Sequence, residues 1–167
     1  DIKTIADCVG EQGQAFLPAT FKGMASKQEN FEQCQLFGID FDDEPDYEKI
    51  KKKLMEYHLP IVFSYHTFSS TPEHPKYRII LCHIVPITER WLADMILKML
   101  KKMFPEADSH CFETARLFYG GKGLIDFNDV VAETGENTFN VYNLVMQFEK
   151  FLYTNDKKNF SRNIRVF

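Results

Sequence analysis

The order of elements legible in this sequence predicts an α+β fold, in which a mainly antiparallel sheet carries helices packed on one face. Three observations support it. Two apolar runs, "PIVFSYH" and "KYRIILCHI", flank the polar turn "TFSSTPEHP", the pattern of adjacent strands. Two segments, "TERWLADMILKMLKKMF" and "TFNVYNLVMQFEKFLYT", repeat apolar residues at helical spacing. The whole chain reads strand, helix, strand, strand, helix, strands, helix.

Taken in order, "DIKTIADCVG" predicts a short helix and "AFLPATFKG" a strand broken by Pro18. "QLFGIDFD" predicts a buried strand. "EPDYEKIKKKLMEYH" predicts a helix with Pro45 at its first position, acids in the first turn, and Tyr47, Ile50 and Leu54 on one face. In "TERWLADMILKMLKKMF", Leu92, Met95, Ile96, Met99, Leu100 and Met103 share a face, Lys98, Lys101 and Lys102 lie off it, and Pro105 ends the helix. Trp91 and the Met stripe are expected in the core. "ARLFYGG" and "GLIDF" predict short strands around a Gly-Gly turn, and Thr138 is the expected cap of the last helix. "NDVVAETGEN" reads as a connection, and the basic tail "NDKKNFSRNIRVF" is expected to fray or lead onward.

The length of 167 residues predicts one domain, residues 1–167, and 44% apolar residues with 16 Phe supply its core. No apolar run approaches the roughly 18 residues that a membrane span needs. The start "DIKTIADCVG" has no basic beginning and no long apolar run, so it is not read as a signal peptide. It also lacks Met, and the chain is expected to be excised from a longer protein. Cys8, Cys34, Cys82 and Cys111 are scattered, with no Cys-x-x-Cys, which predicts reduced thiols in a cytoplasmic protein. "CH" and "HC" are adjacent pairs rather than zinc-ligand spacings, so His66, His74, His83 and His110 are read as ordinary positions. The net charge of −4 argues against a protein that coats nucleic acid, and leaves room for a local binding patch.

The chemistry concentrates in "FGIDFDD". Side chains two apart on a strand share a face, so Asp40 and Asp42 project together, away from Ile39 and Phe41. Two close carboxylates repel unless a cation joins them. Mg²⁺ accepts one or two carboxylates plus substrate phosphates, as two-metal phosphoryl transfer requires. Taken alone, Asp-x-Asp is common and reads better as a solvated loop mouth, with Asp43 and Glu44 capping the next helix. A third acid, Asp108, follows the long helix, with Arg116 eight residues on and Lys122 after the Gly-Gly pair. Arg78 within "YRIIL" is costly to bury unless it faces a site or an ion pair. Ser69, Ser70 and Thr71 supply hydroxyls nearby.

These segments resemble the catalytic domain of the archaeo-eukaryotic primase superfamily, the primase-polymerases of replicons, phages, plasmids and mobile elements. "FGIDFDD" resembles the first motif and "ADSHCFETARLFYGGKG" the third. The resemblance spans Phe37 to Phe127, with a core at about 35–127. It implies an RRM-like sheet with acids on its open face, and Asp40, Asp42 and Asp108 as catalytic ligands of two Mg²⁺ or Mn²⁺ ions. It places Arg116 and Lys122 near the phosphates of a nucleoside triphosphate. For the second motif, "SYH" fits literally through His66, while "TFSSTPEHPKYRIIL" fits a variant with Arg78 on phosphate and Ser69 or Ser70 assisting. We favour Arg78. The implied partners are a single-stranded DNA template, a primer and a helicase in the same parent chain.

Lys51 to Lys53 and Lys98 to Lys102 read as solvated faces or as part of a template track, as do Lys22 and Lys27 with Phe21 or Phe31 to stack on a base. Two other functions are weighed. One is a non-catalytic DNA-binding initiator domain. The other is a rolling-circle nicking endonuclease, ranked low because no His-x-His occurs.

Overall fold

The computed structural model describes residues 1–23, 25–131 and 133–164, with side chains placed as far as 155. Its strands are β1 (Ala19–Phe21), β2 (Phe31–Phe41), β3 (Phe63–Thr67), β4 (Tyr77–Ile87) and β5 (Gly121–Phe127). They form one sheet in the order β1-β2-β4-β3-β5, and every neighbouring pair is antiparallel. The helices are α1 (Ile2–Ala6), α2 (Tyr47–Glu56), α3 (Arg90–Met103) and α4 (Val141–Ile164). A wider π-type turn, Asp7–Glu11, extends α1.

Strand alternation sorts the sheet into two faces. Phe37, Ile39 and Phe41 of β2 join Tyr77, Ile79 and Leu81 of β4 in the main core. Against them pack Ile50 and Leu54 of α2, Ile96, Leu100 and Met103 of α3, and Leu144 of α4. The apolar stripe of α3 is where its spacing put it. Trp91 is not: it is 63% exposed, because it shares the helix face of Lys98 and Lys102 rather than that of Leu92 and Ile96.

The opposite face is not open. Ala6 and Val9 pack there against Phe63, Tyr65 and Ile80. Beside them a loop strap crosses the sheet, where Phe16 and Phe118 exchange backbone hydrogen bonds of 2.9 and 3.0 Å and stack at 5.8 Å. The Phe118 ring lies over Gly38, where an added Cβ would come within 2.6 Å of it. The expectation of helices on one face and bare acids on the other is therefore corrected. A short N-terminal helix and two aromatic rings cover the second face at Gly38, Phe63, Tyr65 and Ile80.

Several local expectations also change. Asp46 caps α2 by accepting from the Lys49 amide at 3.2 Å, so Pro45 precedes the cap, and neither Asp43 nor Glu44 performs that role. Asn140 rather than Thr138 serves α4, accepting from the Asn143 amide at 2.8 Å. "ARLFYGG" is not a strand: it is turn and irregular backbone with a single bridge at Phe118. Gly120 and Gly121 make no turn. They are small because the chain is crowded, since a Cβ on Gly121 would stand 2.2 Å from the His66 carbonyl oxygen. The tail expected to fray is helical to Ile164. Residues 165–167 and the side chains from 156 on lie outside the described residues.

Candidate metal centre

β2 ends at Phe41, and its last inward-facing acid, Asp40, is 1% exposed at the end of the strap-covered face. Asp42 follows just past the strand end. After α3 the chain returns to β2, where the Asp108 amide donates to the Asp40 carbonyl at 2.9 Å. Cys111 reinforces the return, its Sγ accepting from the Asp40 amide at 3.5 Å. Burial pushes that thiol up to about 12, so it stays a neutral packing group. These two contacts bring a residue 68 positions away to the strand end. Asp40, Asp42 and Asp108 each offer an oxygen, and these oxygens lie within 4.8 Å of one another. The three form a group that could hold a metal ion.

The carboxylates are not equivalent. Burial raises the Asp40 pKa. The Arg78 guanidinium opposes that rise, and the charges of Asp42 and Asp108 add to it. Asp108 is held below the ordinary carboxylate range, chiefly by the His110 amide, with the His110 ring and Arg116 assisting against partial burial. The His110 amide and Nδ1 each lie 3.0 Å from Asp108 Oδ1.

Arg78 stands directly opposite Asp40 in the β2–β4 register. Its Nη2 is 2.7 Å from Asp40 Oδ2, and both side chains are largely buried. Its Nη1 donates to the Tyr119 carbonyl, and its guanidinium lies 5.7 Å from the centre of the Phe118 ring. Asp40 Oδ1, fully buried, has no hydrogen-bond partner among the described residues, and neither has Arg78 Nε.

The other sequence-predicted residues are dispersed around this centre. Arg116 sits in the turn after Asp108, its amide bonded to the Glu113 carbonyl at 3.1 Å, and its charge reaches Asp108. Lys122, at the start of β5, donates to the carbonyls of Phe68 and Ser70 and so ties down the β3–β4 turn. Ser70 is buried and accepts from the Lys76 amide at 2.9 Å, while Ser69 is exposed beside Thr67 at 3.3 Å. His66 pairs with Tyr77 in the register, so it falls on the helix-covered side of β3, away from Tyr65 and Arg78, and meets Ser70 at 3.4 Å.

Some suggested track residues are engaged elsewhere. Lys51 pairs with Asp126 at 2.7 Å and Lys53 with Glu106 at 2.8 Å. Phe21 and Phe31 meet edge to face at 6.4 Å and pack on the main core. All four cysteines are free, and His83 is occupied by backbone groups of Val85 and Val141. Sequence reasoning missed Cys111 and His110 as supports of the acids. "SHC" directly after Asp108 was the available signal.

Among the described residues, no helix is long and apolar enough to cross a membrane. No family profile, curated protein or solved structure matches the chain.

Proposed function

We propose that this chain is a nucleotidyltransferase, a primase-polymerase that extends a strand on a single-stranded DNA template from nucleoside triphosphates. One observation carries the reading: Asp108, from a distant part of the chain, joins Asp40 and Asp42 at one strand end, and Asp40, the most buried, keeps an oxygen without a partner among the described residues. Leaving a buried carboxylate oxygen unpaired is costly, and a hard divalent cation removes that cost. The donor set is all oxygen, which suits Mg²⁺ or Mn²⁺. Asp42 and Asp108 are only partly buried, so a phosphate can complete the coordination. Two such ions, once bound, would activate an attacking 3′-hydroxyl and neutralise a departing pyrophosphate.

The protein's own groups prepare this chemistry. His110 keeps Asp108 ionised and fixes its orientation. Arg78 offsets the burial of Asp40 and, in this reading, extends its remaining N–H groups toward phosphate. Arg116, whose charge reaches Asp108, is a further phosphate-binding candidate in this reading, as are Lys122, Ser69 and Ser70 around the β3–β4 turn. Arg78 fills the second-motif role in this reading, because His66 belongs to the other side of its strand.

The test uses labelled nucleotide, template and Mn²⁺, with and without primer. Wild-type protein incorporates nucleotide, and Asp42→Ala loses at least about a hundredfold. If the wild type binds DNA equally well in chelator and incorporates nothing, the chain is a binding module and the proposal fails.

A further inference from the structure

The strap on the second face also carries an exposed aromatic residue, Tyr119, whose carbonyl is joined to Asp40 through Arg78. Phe118 is buried and held to Phe16 on both sides of its peptide. Its neighbour Tyr119 points the other way and is 65% exposed. The Tyr119 backbone is nonetheless fixed. Its carbonyl accepts from Arg78 Nη1 and from the Tyr65 hydroxyl, the latter at 3.1 Å. Gly120 follows it in close contact with Gly13, where any Cβ would stand 2.2 Å from backbone. Among the described residues the Tyr119 ring makes no ring contact, and its hydroxyl no hydrogen bond. A large ring is thus exposed on a rigid support, and the same Arg78 joins that support to Asp40.

An exposed aromatic on fixed backbone binds a flat partner with little loss of conformational entropy. A base has such a face, and stacking tolerates every base alike. The neighbouring groups bear on which base it is. Arg78 bonds the Tyr119 carbonyl and pairs with Asp40, Asp40 belongs to the group of three carboxylates, and the Arg116 charge reaches Asp108, so a nucleotide with its phosphates at that group is one Arg78 side chain away from the Tyr119 backbone. From this juxtaposition we propose that Tyr119 is the stacking residue for the base of the incoming nucleotide. The inference rests on the nucleotidyl-transfer reading of the acids. It adds that affinity for nucleotide comes partly from a ring and is insensitive to base identity.

The experiment measures KM and kcat for each of the four nucleotides, and equilibrium binding of nucleotide with Mn²⁺, in wild type, Tyr119→Ala, Tyr119→Phe and Tyr119→Trp. Substitution leaves the Tyr119 carbonyl in place, and circular dichroism melts check that the variants fold. Tyr119→Ala raises KM and the nucleotide Kd by roughly 5- to 100-fold for all four bases, with kcat within a factor of about three. Tyr119→Phe and Tyr119→Trp stay near wild type. A wild type that neither incorporates nor binds nucleotide overturns the reading of the acids, and this inference with it. A wild type that does either, while Tyr119→Ala leaves the nucleotide constants unchanged or weakens only single-stranded DNA binding, overturns this inference alone.

Discussion

At the scale of single residues, Asp40 is bound to two demands. It belongs to the acidic group that could hold a metal ion and is also the partner of a buried Arg78. Removing one member of such a pair leaves the other charged and unpaired, which typically costs about 3–5 kcal/mol. Asp42 has no ion pair among the described residues. Asp40→Ala is therefore expected to lose incorporation and to lower the urea midpoint strongly, whereas Asp42→Ala loses incorporation with stability within about 0.5 kcal/mol of wild type. Equal unfolding midpoints for the two variants would contradict the buried pair. The sequence showed that Arg78 needed a site or a partner. It could not show which, because only the strand register places Asp40 opposite. Trp91 is exposed rather than in the core, and its spacing to Lys98 and Lys102 already puts it on the wet face of α3.

At the scale of elements, α2 is tied to β5 by a polar cluster. Asp126 Oδ2 accepts from Lys51 at 2.7 Å and from the Tyr47 hydroxyl at 2.5 Å, and Tyr47 also meets Ser64 at 2.6 Å. Burial pushes the Asp126 pKa up, but Lys51 and Tyr47 outweigh it and hold the carboxyl below its ordinary value. The unfolded chain then takes up the proton more readily. The contribution to stability is complete above an unfolded carboxylate pKa of about 4 and is lost as pH falls through the lower folded value. Denaturation followed from pH 7 to pH 2 is expected to show Asp126→Asn less stable by about 1 kcal/mol at neutral pH, converging with wild type in acid. A constant gap across that range would remove the electrostatic explanation. The strap offers a second check. Gly120→Ala has to displace backbone at Gly13 and Gln14, so it is expected to lower the melting temperature far more than Gly23→Ala, where the space is open. Gly23 has a positive φ, so that variant carries modest strain of its own, about 1 kcal/mol. "GG" followed by a strand looks like a turn because close approach to a segment 107 positions earlier leaves no local trace.

At the scale of the whole molecule, the periodicities of α3, β2, β3 and β4 made the α+β class readable, since each buries one side against a common core. The cover on the second face was not readable, because α1 is short and Phe16 and Phe118 are isolated in sequence. The convergence of the acids was suggested only by their order along the chain. One backbone bond, Asp108 amide to Asp40 carbonyl, and the Asp40 amide's bond to Cys111 Sγ bring Asp108 to the other two. Ion binding to the native state raises stability by mass action, about 2.7 kcal/mol at a hundred times Kd. Mn²⁺ titration of wild type is expected to raise the melting temperature by several degrees, and chelator to reverse it, with no response in Asp42→Ala. A flat response in wild type would remove the metal centre without recourse to any activity assay.

The strap and α1 cover the sheet at Gly38, Phe63, Tyr65 and Ile80, so a polymer cannot lie flat across the sheet there. In the proposed reading, a strand that reaches the acids comes in at the rim, where β2 stops and β4 begins. On that reading, grip on a long strand arises from some other surface, and a short oligonucleotide is expected to be handled here almost as well as a long one.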